Sequence, residues 1–214
     1  MKIGILGSGV VAQALGAGFV ARGHDVILGT GTPAKLAEWS AQHGKARVGT
    51  FADAAAFADI VVLAVKGTAA LAAVKAAGPA SLAGKTVIDT TNPIADAPPV
   101  NGVLQFFTSG NDSLLERLQR EYPSVKFVKA FNSVGSAFMV DPKFKDGPPT
   151  MFICGDDDRA RQAVRGLVEA FGWEVADMGK AVAARAIEPL CMLWCIPGLL
   201  NNEWTHAFKL VKPA

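Results

Sequence analysis

Residues 1–12 read MKIGILGSGVVA: an apolar run, Lys2 to Leu6, passes straight into Gly7-x-Gly9-x-x-Ala12. The run predicts a buried strand, and the apolar stretch Val10 to Arg22 predicts the helix that follows it. Gly7 permits a tight turn between the two. Gly9 lets main chain approach an anion with no Cβ in the way, and Ala12 keeps the helix close to the strand. A helix opening near Val10 aims its free N–H groups and positive dipole end at the same point. Gly23 is placed to end that helix before a second apolar run, Val26-Ile27-Leu28. This strand–turn–helix–strand context is what holds a dinucleotide's pyrophosphate, with Ser8, Val10 and Val11 beside the glycines. The plainer alternative is a glycine turn that binds nothing.

The residues after the second strand bear on which dinucleotide fits. An NAD site carries Asp or Glu about twenty residues beyond the glycines, where it accepts bonds from the ribose hydroxyls. Here the segment is Leu28-Gly-Thr-Gly-Thr-Pro-Ala-Lys35, with no carboxylate to repel a 2′-phosphate. Thr30, Gly31, Thr32 and Lys35 offer hydroxyls, open main chain and an ammonium. Thr32 reads as an N-cap and Pro33 as the first helical residue, which places a second helix N-terminus beside the ribose. The pattern points to NADP(H). The alternative is that Thr32 merely caps a helix and Lys35 is a solvated charge.

Composition bounds the remaining classes. Of 214 residues, 50% are hydrophobic and 19% charged, enough to build a sizeable core. A net charge of +2 with no basic run gives no nucleic-acid footprint. Gly7 and Gly9 break the N-terminal apolar residues, so no signal peptide is read there. No apolar stretch approaches the ~20 residues of a membrane helix; the longest, Pro189 to Leu200, is interrupted by Pro197. Membrane insertion is therefore not expected. Three cysteines suit a reducing cytoplasm. Cys191 and Cys195, spaced i, i+4 near His206, read as buried thiols rather than metal ligands, and no metal is expected.

Down to residue 131, apolar runs alternate with helical patterns. Such alternation predicts an α/β fold of Rossmann type, with a doubly wound, mostly parallel sheet. Strands are expected at 46–51, 59–65 (DIVVLAV), 86–90 and 125–131 (VKFVKAF). Residues 132–214 form a smaller α/β section, with strands at 150–154 and 173–176 and a helix opening at Asp156-Asp157-Asp158. That acidic triplet reads as capping rather than as a metal cluster. Ligands of open parallel sheets lie outside the carboxyl ends of the strands. Ala64-Val65-Lys66, Thr91-Asn92-Pro93 and Ala130-Phe131-Asn132 should therefore join the glycine turn and the Thr30 segment at one rim. Asn92 and Asn132 either present amides to a nicotinamide or satisfy their own turns.

Taken in order, MKIGILGSGVVAQALG, RGHDVILGT, DIVVLAV, VIDTTNPI, FVKAFNSVG and FICGDDDRARQAVRGLVEAFGW leading to ARAIEPL resemble the NADPH-dependent oxidoreductases of coenzyme F420, an 8-hydroxy-5-deazaflavin. The NADPH domain of the STEAP metalloreductases shares the pattern. The resemblance implies a Rossmann core, a C-terminal section covering the nicotinamide, and hydride transfer to a flavin-like acceptor. By position, Thr30 matches a Ser or Thr that helps hold the 2′-phosphate. Gly31 departs from the family's usual Arg, which leaves Lys35 and Arg47 as substitutes. The loop Ile94 to Asn111, with Phe106 and Phe107, has its own length and composition.

Hydride exchange with a flavin or deazaflavin needs stacking and exclusion of water more than proton transfer. His24, His43 and His206 fall away from the strand ends, so no catalytic acid–base residue is assigned. Lys66 is the best proton donor on offer, although contact with pyrophosphate or solvent suits it better. Two other readings stay open. One is a small ketone or imine reductase; the other is a non-catalytic NADP-binding sensor that contacts a partner through Phe106–Phe107. Longer dehydrogenases with this fingerprint add an all-helical dimerisation domain, whereas half of residues 133–214 read here as β structure. The tail holding Trp194, Leu199, Leu200, Trp204 and Phe208 is expected to form a lid, a homodimer contact or plain core.

Overall fold

The computed structural model describes residues 1–44 and 46–213. Its centre is one six-stranded, all-parallel sheet in the order β3-β2-β1-β4-β5-β6. The strands are β1 (Lys2–Leu6), β2 (Asp25–Gly29), β3 (Ala46–Gly49), β4 (Ile60–Leu63), β5 (Thr86–Asp89) and β6 (Lys126–Lys129). Between them run α1 (Val10–Ala21), α2 (Ala37–Gln42), α3 (Phe51–Phe57), α4 (Ala70–Ala77), α5 (Pro79–Leu82) and α6 (Leu114–Glu121). The winding reverses between β1 and β4, and this reversal opens a crevice at the carboxyl ends.

Residues Ile3 to Leu6 and Ile60 to Leu63 are wholly buried, as expected of strands covered on both faces. Alternate side chains feed two layers. Ile3, Ile5, Val62, Ile88 and Val128 pack with α1 residues Leu15 and Phe19. Leu6, Val61, Leu63, Val87 and Phe127 pack with Ala54, Val74 and Leu115. On the second side α3 lies almost in backbone contact with β1, because a Cβ on Gly4 would stand 2.2 Å from the Ala54 carbonyl oxygen.

Strand ends fall a little inside the expected limits. The third strand stops at Gly49, because Thr50 becomes the N-cap of α3 and exchanges side-chain and main-chain bonds with Asp53 in a capping box. After residue 131 come β7 (Thr150–Ile153), α7 (Asp158–Ala170), β8 (Glu174–Asp177) and α8 (Ala184–Asn201). Strands β7 and β8 pair in parallel, and Lys129 N–H donates to the Cys154 carbonyl at 2.8 Å, tying this section to β6. Phe131, Met151, Val164, Phe171 and Trp173 share one core cluster with Ile3 and Ile5. The acidic triplet caps, as read: Asp157 accepts from Ala160 N–H at 2.8 Å, and Asp156 accepts from Ala181 N–H at 3.0 Å.

Two expectations are corrected. The second section is mainly helical rather than half β: two four-residue strands stand against a 13-residue and an 18-residue helix. Pro189 and Pro197 also lie inside α8 instead of ending it. The helical stretch Ala181–Asn201 thus reaches 21 residues with mean hydropathy 1.4, long and apolar enough to cross a membrane by length and composition. A helix packed on a protein core passes the same test, and here Ala184, Ile187, Glu188, Cys191 and Trp194 are buried against the rest of the chain.

Gly4→Ala forces α3 away from β1 and is expected to cost about 2 kcal/mol. Thermal unfolding should show the melting point falling by about 4–8 °C; an unchanged melting point would show that α3 yields freely.

Candidate nucleotide and active site

Pairing sets Leu6 abreast of Gly29 and Leu63, Leu63 abreast of Asp89, and Asp89 abreast of Lys129. The residues that follow each strand therefore stand on one rim. There a cavity of about 790 Å³ opens, lined by Gly7 to Val11, Thr30, Gly31, Ala64 to Lys66, Thr91 and Asn92. These four chain segments are among the five that the sequence places at the site; the fifth, Ala130 to Asn132, does not line the cavity.

The glycine turn has the geometry its spacing requires. Gly7 has φ +149°, and a Cβ there would stand 2.1 Å from the Ala64 carbonyl oxygen, so only glycine fits. Gly9 is the N-cap of α1, and no side chain caps that helix or places acid in its first turn. A Cβ on Gly9 would meet nothing within 4 Å. Gln13 Nε2 donates to the Ser8 carbonyl at 2.9 Å and braces the loop from behind. Open space in front of uncapped N–H groups at the positive end of a 12-residue helix fits a pyrophosphate.

The neighbouring Thr30 segment is less developed than expected. Thr30 is buried, and its hydroxyl oxygen accepts from Thr32 N–H at 3.1 Å. Thr32 does occupy an N-cap position, yet its side chain makes no capping bond and the element it opens is a four-residue 3-10 turn, Pro33–Leu36. Lys35 is exposed, and neither it nor Thr32 lines the cavity. The Arg47 guanidinium lies over the Phe57 ring, 4.5 Å from its centroid.

At the opposite end, Asn92 Nδ2 donates to the Asn132 carbonyl at 2.7 Å, and Asn132 Nδ2 donates to Asn92 Oδ1 at 3.1 Å. The two residues thus meet and hold each other. Asn92 faces the cavity, whereas Asn132 is buried behind it with its Oδ1 unpartnered. Pro93 and Ala130 are buried outside the cavity wall. His24 packs edge-on against Phe19, His43 stacks on Trp39, and His206 stacks on Trp194; none lines the cavity. Among the described residues no metal-binding cluster is found, and all three cysteines are free. Burial and the neighbouring Cys195 both push the Cys191 thiol upward, in keeping with an inert role.

Phe51, Gly67, Thr68, Thr90 and the loop Ile94 to Ala97 also line the cavity, unforeseen from the sequence. Phe51 lies two residues beyond the end of β3, so the strand-end rule that found the other segments would have found it. The loop had no such signal. It is held by pairing to distant residues, with Ala95 N–H donating to Gln105 O at 2.8 Å and Phe107 N–H to Pro93 O at 2.9 Å.

A Gly9→Glu substitution should fold, since φ −77° and open space suit any side chain. A carboxylate at that helix end should remove dinucleotide binding in calorimetric titration while circular dichroism stays unchanged. Retained binding would overturn the assignment of the site.

Comparisons with known proteins place the chain in a family. Residues 2–93 match the family model described as NADP oxidoreductase, coenzyme F420-dependent. A crystal structure from Arthrobacter sp. FB24, named as a candidate F420-dependent NADP-reductase, is 33% identical. Its TM-score is 0.93, with 99% of this chain and 100% of that chain covered. Metalloreductase STEAP3 of Rattus norvegicus is 32% identical over 93% of this chain, which spans only 39% of that protein. A reductive aminase of Aspergillus terreus shares the fold alone, at 20% identity and TM-score 0.67, with 94% of this chain and 63% of that chain covered. The chain belongs to the family of coenzyme F420-dependent NADP oxidoreductases, and it is an NADP-dependent oxidoreductase.

Proposed function

We propose that this protein transfers a hydride between NADPH and a flavin or deazaflavin acceptor. The carrying observation is the chemistry of the cavity wall. Among the described residues its only ionisable side chains are Lys66 and Asp96, both exposed, and no histidine, cysteine or buried carboxylate lines it. Hydride exchange between stacked rings needs reacting carbons about 3–3.5 Å apart rather than a proton relay. The bound nucleotide supplies the hydride.

The chain's own residues bind, orient and exclude water. Gly7 to Val11 take the pyrophosphate at the α1 N-terminus. Thr30 and Gly31 take the 2′-phosphate, with Thr32 and Lys35 nearby in the chain. Phe51 offers an apolar wall to the adenine. Thr91, Asn92 and Pro93 shape the nicotinamide end, where Asn132 fixes Asn92 and Ala130 supports the rim. Lys66 neutralises phosphate charge at the cavity mouth. Three free cysteines support a reducing, cytoplasmic setting.

A second reading, reduction of a small ketone or imine, is favoured by one feature: Lys66, whose ammonium is a proton donor, lines the same cavity.

Anaerobic NADPH oxidation by the purified protein, with the deazaflavin and FMN compared as acceptors, tests the proposal. Turnover with either supports it. Turnover only with a carbonyl or imine compound would establish the second reading instead. Lys35→Glu should weaken NADPH binding about tenfold or more, and NADH binding hardly at all. Equal losses would remove Lys35 from the 2′-phosphate site.

A further inference from the structure

Beneath the cavity wall lie three charged side chains that do not line the cavity. Lys129 ends β6, Asp89 ends β5 and Glu188 comes from α8; their exposures are 0%, 0% and 1%. Lys129 Nζ stands 2.6 Å from Asp89 Oδ2 and 3.0 Å from Glu188 Oε1. Burial disfavours the ammonium, but the two carboxylates outweigh that cost and raise its pKa above the usual lysine value. With all three groups ionised, the cluster carries one surplus negative charge. The N-terminus of α6 answers it, as Leu114 and Leu115 N–H donate to Glu188 at 2.9 and 3.0 Å.

Apolar replacement of such a buried ionic group is often neutral or stabilising, so stability alone is a weak reason for it. Its connections supply a better one. Thr91, in the cavity wall, is held by the cluster at three atoms: N–H and Oγ1 donate to Asp89 Oδ1 at 2.9 and 2.6 Å, and its carbonyl accepts from Lys129 Nζ at 2.7 Å. A second chain of bonds runs beside the first. Asn92 pairs with Asn132, and Asn132 Nδ2 donates to the Ile187 carbonyl at 2.9 Å. Two adjacent wall residues are therefore linked, through the end of β6, to two adjacent residues of α8. Phe131, between the two chains, has φ +61°, a strained conformation for a bulky residue held at a site of this kind. A cavity of about 190 Å³ borders Glu188 between α8 and the loop at Phe106–Asp112, just ahead of α6.

We infer that Lys129 and Glu188 are positioning residues that couple the nucleotide cavity to the seam between α6 and α8. The inference rests on the reading of this cavity as the NADPH site. Nucleotide bound against Thr91 and Asn92 steadies the seam, and a seam fixed by Glu188 tightens nucleotide binding in return.

The test pairs amide hydrogen exchange with a single variant. In the unaltered protein, saturating NADP⁺ should slow exchange at Leu114, Leu115 and the first half of α8 about fivefold beyond any slowing in α7. Glu188→Gln keeps the side chain's shape, removes its charge, and should raise the Kd and KM for NADPH about tenfold with kcat nearly unchanged. It should also abolish the exchange response. A purely structural Glu188 would lower the melting point but leave Kd and the response intact, and that result overturns the inference. Should the variant not fold, unaltered seam exchange in the native protein overturns it equally. Failure of the native protein to bind NADP⁺ at all is a separate outcome, which removes the site assignment itself.

Discussion

The structure depends on one run of backbone hydrogen bonds that continues a residue past each strand. Gly7 N–H reaches Gly29 O, Ala64 N–H reaches Leu6 O, Thr90 N–H reaches Leu63 O, and Ala130 N–H reaches Asp89 O, all between 2.9 and 3.2 Å. Parallel pairing in this register brings loops from distant parts of the chain to one edge, whatever their own sequences. Function is then written into the residues that follow the strands. Gly7 must be glycine because Ala64 O approaches it so closely, and Gly9 leaves the α1 N-terminus bare. The cavity is a by-product of register and the binding surface a by-product of two missing side chains.

Electrostatics follows the same division. On the surface, Arg185 holds the Glu116 carboxyl below its usual range, against the effect of burial and with help from Ser113. Asp158 likewise sits low between Lys180 and Arg161. Such partly solvated pairs are screened by solvent and trim helix ends. The interior pairs differ in kind, since Lys129, Asp89 and Glu188 have no solvent to fall back on and each depends on the others for compensation.

Much of this was legible from residue order. Continuous apolar runs such as Asp59 to Val65 mark doubly covered strands, and the rule that ligands lie beyond carboxyl ends found most of the cavity wall. The failures have physical causes. Asp89 in VIDTT and Lys129 in FVKAF carry no local signal of their pairing, because Glu188 lies far along the chain. The loop Ile94 to Ala97 follows no period, since pairing to Gln105 and Phe107 shapes it. Thr32 carried the letters of a cap but opens only a 3-10 turn. In α8 the prolines suggested an interruption, yet packing against the core carries the helix through both.

The Lys129–Glu188 pair also bears on how such a chain changes over time. A division near residue 131 separates a nucleotide-binding half from a covering section by sequence pattern, but charge does not divide there. The first piece taken alone would keep Lys129 with Asp89, while the second would carry Glu188 without its cation. A C-terminal section put in its place would have to meet that lysine and the α6 N-terminus with a carboxylate of its own to keep the cluster whole.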